Sequence, residues 1–128
     1  MKLFSTFTLI LLLLFQWQLS AQSMPEKAKL AFKSGDSQKI LPLLAEKLQF
    51  SLEGEGAMIT SREAAAKLSQ FFKSNMPSDL SSLFQGQSKD GRQYFIGLLK
   101  TSGGDYRISV YWSALSKDQI LSLDISRE

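Results

Sequence analysis

The chain contains no histidine and no cysteine. That removes the Ser-His-Asp and Cys-His nucleophile arrangements, together with zinc sites built from imidazole or thiolate. Proton or group transfer is left to carboxylate, lysine and tyrosine side chains. A carboxylate base acting next to a carbonyl needs a secluded site with protonated donors facing it; the accessible acids that could come from a helix or loop are Glu46, Glu53 and Asp79. Asp105, Tyr106 and Arg107 are adjacent, but alternation along a strand sends Tyr106 and Arg107 to opposite faces, so the three cannot converge. Glu53-Gly54-Glu55-Gly56 lacks the ligand spacing of a calcium loop, and Gly103-Gly104-Asp105 has the form of a hairpin turn, not of a phosphate cradle. None of these implies a cofactor or a metal.

The elements that carry these residues divide the chain in two. Helical patterns fill the first half. Ser23 and Glu26 have capping-box spacing around Pro25, Ala28, Leu30, Ala31 and Phe32 follow as an apolar stripe, and Gly35 supplies a stop. A short second helix starts at Asp36 or Ser37, with Pro42 forcing a kink or a late start; Ile40, Leu43 and Leu44 are core candidates. Residues 47–53 alternate Leu48, Phe50 and Leu52 with polar neighbours, the period of a strand with one buried face, which Gly54 and Gly56 end. The clearest helix follows. Thr60 and Glu63 form a second capping box, and Ala64, Leu68, Phe71 and Phe72 share one face until Pro77 terminates it.

The second half reads as an antiparallel meander turning at Asp90-Gly91 and Gly103-Gly104. Two-residue loops there set Leu99 opposite Ile108, Gly97 opposite Val110 and Phe95 opposite Trp112, with Phe84 opposite Gly97 and Gly86 opposite Phe95. A loop over residues 116–119 sets Leu121, Leu123 and Ile125 beside Ala114, Trp112 and Val110. All these side chains fall on one apolar face, with Thr101 and Tyr106 as its only polar groups and no acid. Gly86 and Gly97 beneath large aromatics predict a strongly curved sheet, and Gly97→Val would collide with Phe84. The other face carries Tyr94, Arg107, Tyr111 and Asp124, with Tyr111 across from Asp124. Tyrosine and arginine make it a candidate interface.

Before these elements, Lys2 precedes the apolar run from Leu9 to Phe15, and Ser20-Ala21 offers a cleavage site. Residues 1–21 thus read as a signal peptide, too short in its apolar part for the roughly 20 residues of a membrane span, and residues 22–128 as a single domain of the periplasm or the extracellular space. Without Lys2, 14 basic residues face 12 acidic ones spread along the chain, which is no nucleic-acid footprint.

The order of helices, one strand, a capped helix and a curved meander resembles the nuclear-transport-factor-two-like, or ketosteroid-isomerase-like, superfamily. The run Phe71-Phe72-Lys73-Ser74-Asn75-Met76-Pro77, then Phe84-Gln85-Gly86 and Gly97 through Tyr106-Arg107, is similar to a small exported bacterial family of unknown function. The resemblance implies an α+β cone, N-terminal helices packed on a curved antiparallel sheet, in a superfamily that hosts isomerases, dehydratases, hydrolases and binding modules. The acid-free inner face departs from the catalytic pattern. The expected function is therefore a noncatalytic module that binds a small apolar ligand or an envelope protein, with Phe95, Trp112, Tyr106 and Leu68 as pocket candidates. A homodimer with a filled cone, joined through the outer face, is the alternative, and an isomerase- or hydrolase-type enzyme using a carboxylate is the third. A cavity at Trp112, Phe95 and Leu68 would favour the first, and a solid interior the second.

Overall fold

The computed structural model of the chain describes residues 23–128 apart from 114, 116 and 117. The expected signal segment, the pairing of Ala114 and part of the loop before Gln119 lie outside the described residues. Helix α1 (Met24–Ser34) carries Pro25 in its first turn and ends at Gly35 with φ 68°. Ser23 makes no side-chain cap bond, so the box with Glu26 does not form. Helix α2 (Ser37–Ile40) is capped by Asp36, whose carboxylate accepts the Gln38 N–H at 2.9 Å. Pro42 then tightens the chain into a 3-10 turn over Leu41–Leu43, because it has no N–H to continue an α-helix.

Strand β1 (Leu44–Leu52) leads directly into β2 (Glu55–Thr60), a strand that the glycine-rich sequence conceals. The turn between them places both Glu53 (φ 51°) and Gly54 (φ 88°) in the left-handed region, the geometry of a tight hairpin in which glycine is at ease and glutamate is not. Helix α3 (Ser61–Ser74) follows without a gap. The Thr60 hydroxyl accepts the Glu63 N–H and donates to the Glu63 carboxylate, both at 3.2 Å, so the expected pair caps the helix. The meander is β3 (Pro77–Gln87), β4 (Gln93–Thr101), β5 (Gly104–Ser113) and β6 (Gln119–Arg127).

These strands form one sheet in the order β2-β1-β6-β5-β4-β3. The meander is antiparallel as expected, and the sheet departs from the expected antiparallel pairing at one junction, where β1 lies parallel to β6 and makes it mixed. A parallel neighbour needs a long connection, here nearly the whole domain, and local sequence pattern carries no trace of it. The helices cover one face. Phe32, Ile40, Leu68 and Phe72 pack there on Leu48, Phe95, Ile108 and Leu123 in a single core.

Strand registers differ from expectation in an instructive way. Across β4 and β5, Thr101 pairs with Gly104, Leu99 with Tyr106, Gly97 with Ile108 and Phe95 with Val110. The loop is therefore Ser102-Gly103, and the slip of two residues leaves every side chain on its expected face. Val110 likewise pairs with Leu123 and Ile108 with Ile125. A bulge beyond Tyr111 brings Ile120, not Leu121, into the core. At β3 the slip is one residue. Gln87 pairs with Gln93 around a five-residue loop, so Phe84 faces Ile96 and Gly86 faces Tyr94, both on the outer side. Gly97 stands on the inner face, but the neighbours that an added Cβ would meet at 2.9 Å are Leu80, Phe95 and the Ser81 carbonyl, not Phe84.

Candidate functional site

Phe95, Trp112, Tyr106 and Leu68 are 0 to 4% exposed and belong to the core. All four belong to one contiguous hydrophobic core. Tyr106 has a polar role: its ring meets Phe71 edge-on at 4.9 Å, its hydroxyl donates to Asn75 Oδ1 at 3.1 Å and accepts from Arg127 at 2.9 Å, and the Arg127 guanidinium lies over the ring. Asn75 in turn donates to the Phe71 carbonyl at 3.0 Å. The network fixes the end of α3 against β5.

The open site adjoins this network. A cleft of about 460 Å³ lies between α3 and the inner face of the β1–β2 hairpin. Alternation along the strands turns Phe50 and Leu52 of β1, and Glu55, Ala57 and Ile59 of β2, to that face, because Leu52 pairs with Glu55 and Phe50 with Ala57. On α3, Lys67, Gln70, Phe71 and Ser74 fall at i, i+3, i+4 and i+7, a second stripe beside the core stripe that shares Phe71 with it. Asn75 closes the end. The core is incomplete here. Ala57 is exposed and Leu52 half-buried although both point inward, because α3 does not reach over the hairpin tip. The result is an apolar floor of Phe50, Ile59 and Phe71 with an amide, hydroxyl and ammonium rim from Gln70, Asn75, Ser74 and Lys67. A more open hollow of about 480 Å³ on the other flank of α3, against Ser37, Gln38 and Leu41, has no aromatic floor.

The proposed carboxylates do not assemble into an acid-base site. Glu46 and Glu53 are exposed, the second in the hairpin turn, and Asp79 sits on the surface 3.8 Å from Lys33. Glu55, on the cleft rim, is also exposed. Among the described residues no group of three or more carboxylates could hold a metal ion, and no helix is long and apolar enough to cross a membrane.

All four expected interface residues lie on the outer sheet face, and two of them pack together. Tyr94 and Tyr111 pair across β4 and β5 with ring centroids 5.8 Å apart, and Arg92 lies over the Tyr111 ring. Phe84, 60% exposed, and the half-buried Ile96 and Leu98 extend this patch. Arg107 instead pairs with Glu128 at 3.3 Å, and Asp124 lies across from Ser109, while Tyr111 lies across from Ser122. The expected Tyr111–Asp124 pairing is displaced by the two-residue slip. Beside the patch, Asp90 organises the β3–β4 loop. Its carboxylate accepts from the Ser88 hydroxyl, from the Arg92 N–H at 3.1 Å and from Arg92 Nε at 2.8 Å. These bonds, that of Ser88 foremost, lower its pKa to about 2.

The sequence reading missed the cleft because it read Gly54 and Gly56 as the end of structure. The signal was present: Glu55, Ala57 and Ile59 alternate after a two-residue turn, and Lys67, Gln70, Phe71 and Ser74 form a helical stripe.

Comparison with known proteins places the fold. A family described as a domain of unknown function, DUF4783, matches residues 25–126. A DUF4783 protein from Bacteroides uniformis is 24% identical with a TM-score of 0.75, over 83% of this chain and 98% of that one. One from Bacteroides ovatus is 25% identical with a TM-score of 0.75, over 84% and 98%. A protein of ketosteroid isomerase-like fold from Catenulispora acidiphila, solved in complex with trimethylamine, is 8% identical with a TM-score of 0.64, over 85% and 88%. No curated protein matches. The fold is thus α+β and nuclear-transport-factor-two-like, with helices on a curved mixed sheet.

Proposed function

The chain belongs to the DUF4783 family, a domain of unknown function, and from its own site we propose that it is a noncatalytic binding module of the periplasm or extracellular space. It holds an apolar group, carried by a small ligand or by an envelope protein, in the cleft between α3 and the β1–β2 hairpin. One observation carries this: side chains that point inward at the hairpin tip, Leu52 and Ala57, are left partly or fully uncovered above an aromatic floor. A cleft of that volume is within the range of small-molecule sites, apolar with a few polar groups at its rim. Native mass spectrometry of the protein purified gently from its producing cell tests it. The expected result is a bound mass that disappears on denaturation and is absent from Ala57→Leu. A bare parent protein whose cleft resonances ignore an added apolar probe such as indole overturns it.

A second reading, a homodimer joined through the outer sheet face, is favoured by the burial of Phe95, Trp112, Tyr106 and Leu68 in the core and by the exposed Phe84 beside Tyr94 and Tyr111. An aromatic patch of this kind is enriched at interfaces. Sedimentation of the protein as a dimer that Phe84→Asp converts to a monomer supports this reading, and a monomeric parent at high concentration excludes it.

A further inference from the structure

We infer that the apolar group held by the cleft arrives on an extended polypeptide that adds as a seventh strand to β2, an edge strand of the sheet among the described residues. This rests on the binding role of the cleft and names the partner's chemistry: a segment with apolar residues at alternate positions and a lysine or arginine at the end that meets the hairpin turn.

The two edges of the sheet are treated differently. β3 begins at Pro77, is broken by two register shifts, packs against α1 and is bridged to it by Lys33–Asp79. Proline, bulges and covering elements are the devices by which sheets protect an edge from another strand. Among the described residues β2 has no proline, no bulge and no further strand along its outer edge. It pairs with β1 in an unbroken register from Lys47 with Thr60 to Leu52 with Glu55, and Glu55–Thr60 contains no proline and no lysine. Its outward backbone N–H and C=O groups are a template for one more strand, and strand addition is a recurrent mode of peptide capture.

The same strand lines the cleft, which ties the edge to the pocket. Gly56 and Ala57 keep the edge low on both faces, so side chains of an added strand on the inner side lie over Ala57 and Ile59 and reach toward Phe71. On the outer side Met58 is 64% exposed and offers them an apolar contact. Glu53 and Glu55 at the turn are exposed, and among the described residues neither makes an ion pair. For a strand antiparallel to β2 they lie beside its C-terminal part, which is where the cationic residue belongs. A second folded copy of this chain fits less well. Six residues give an edge of about 20 Å, too short to bury the roughly 1,000 Å² that a stable interface needs by strand pairing alone, whereas a flexible segment adds the burial of its own side chain in the cleft.

The test uses isotope-labelled protein as the producing cell processes it, titrated with the peptides acetyl-Ser-Xaa-Thr-Xaa-Lys-Ser-amide in which Xaa is Val, Leu or Phe. The expected result is at least tenfold slower amide exchange at alternate residues of β2, with binding of the best peptide weakened at least tenfold by N-methylation of its alternate nitrogens. Ala57→Lys, at an exposed position, weakens the same peptide while leaving the melting curve in place. Equal binding of the methylated and parent peptides, or unchanged exchange at β2, overturns strand addition. Indole run in parallel separates the two levels: shifts at Ile59 and Phe71 with no peptide effect leave the cleft standing without the strand, and silence from both probes removes both.

Discussion

The β4–β5 hairpin turns at Ser102-Gly103 against the end of α3, whereas the β1–β2 hairpin turns at Glu53-Gly54 in solvent. At the first, Ser102 N–H donates to the Met76 carbonyl at 3.0 Å and Met76 N–H donates to the Ser102 hydroxyl at 3.1 Å. Gly103 comes so close that an added Cβ would run into Asn75 Oδ1 and stand 2.9 Å from the Ser74 carbonyl. Tyr106, Asn75 and Arg127 then seal the inner face below. At the second, the same kind of face is left open, and a Cβ at Gly56 would meet only ordinary contacts at 3.4 Å or more. Two hairpins of one sheet thus divide the labour: one is fastened to a helix and lends rigidity, and the other, held to β6 through the Glu53 N–H and the Ile125 carbonyl at 2.7 Å, has no helix over its inner face and leaves room.

The largest expected effects lie on the fastened side. Gly103→Val and Gly97→Val each lower stability by about 3 kcal/mol, the upper part of the range for overpacking, measured by thermal or denaturant unfolding. In contrast Gly56→Ala, on the open hairpin, stays within about 0.5 kcal/mol of the parent, as surface substitutions do; equal losses at Gly56 and Gly103 would abolish the distinction. Tyr106→Phe removes the hydroxyl that joins Asn75 to Arg127 and lowers stability by about 1 kcal/mol. Ala57→Leu leaves unfolding within about 0.5 kcal/mol yet reduces indole binding at least tenfold, which separates the cleft from the framework. The smallest effect concerns the exposed β3–β4 loop. The folded pKa of Asp90, about 2, lies below its ordinary 3.8, so the contribution of its hydrogen bonds is intact above 3.8 and is lost as pH falls through about 2. The amide resonances of Gly91 and Arg92 should move in that window, and in Asp90→Asn they should not.

Much of this was legible from local pattern. Period-two and period-3.6 spacing identified the inward set on β1, β4, β5 and α3, and Thr60 with Glu63 marked the start of α3, because side-chain direction and capping are decided within a few residues. The β1–β2 hairpin escaped because a glutamate occupies the left-handed turn position that asparagine, aspartate or glycine would have marked, so the alternation after it went unread. The pocket candidates Phe95, Trp112, Tyr106 and Leu68 have the right types for a site, but aromatic and aliphatic side chains line cores and pockets alike. Only the reach of α3 settles which inward positions are covered.

Strand register marks the boundary most sharply. A two-residue slip between β4 and β5 satisfies the hydrophobic alternation as well as the expected pairing did, so composition cannot choose between them. The choice falls to contacts distant in sequence, Ser102 with Met76 and Gly103 with Asn75, helped by a local clasp in which Thr101 Oγ1 donates to the Gly104 carbonyl at 2.6 Å while it accepts the Gly103 N–H. At β3 the hydrogen bonds of Asp90 hold a five-residue loop where the dipeptide suggested two, which turns Phe84 from the core to the surface. The sequence could specify which residues are apolar and with what period, since those are properties of neighbours along the chain. The parallel seating of β1 beside β6, the uncovered hairpin and the unguarded edge of β2 depend on how far each helix extends over the sheet, and that is set by packing among segments that meet only in the folded molecule.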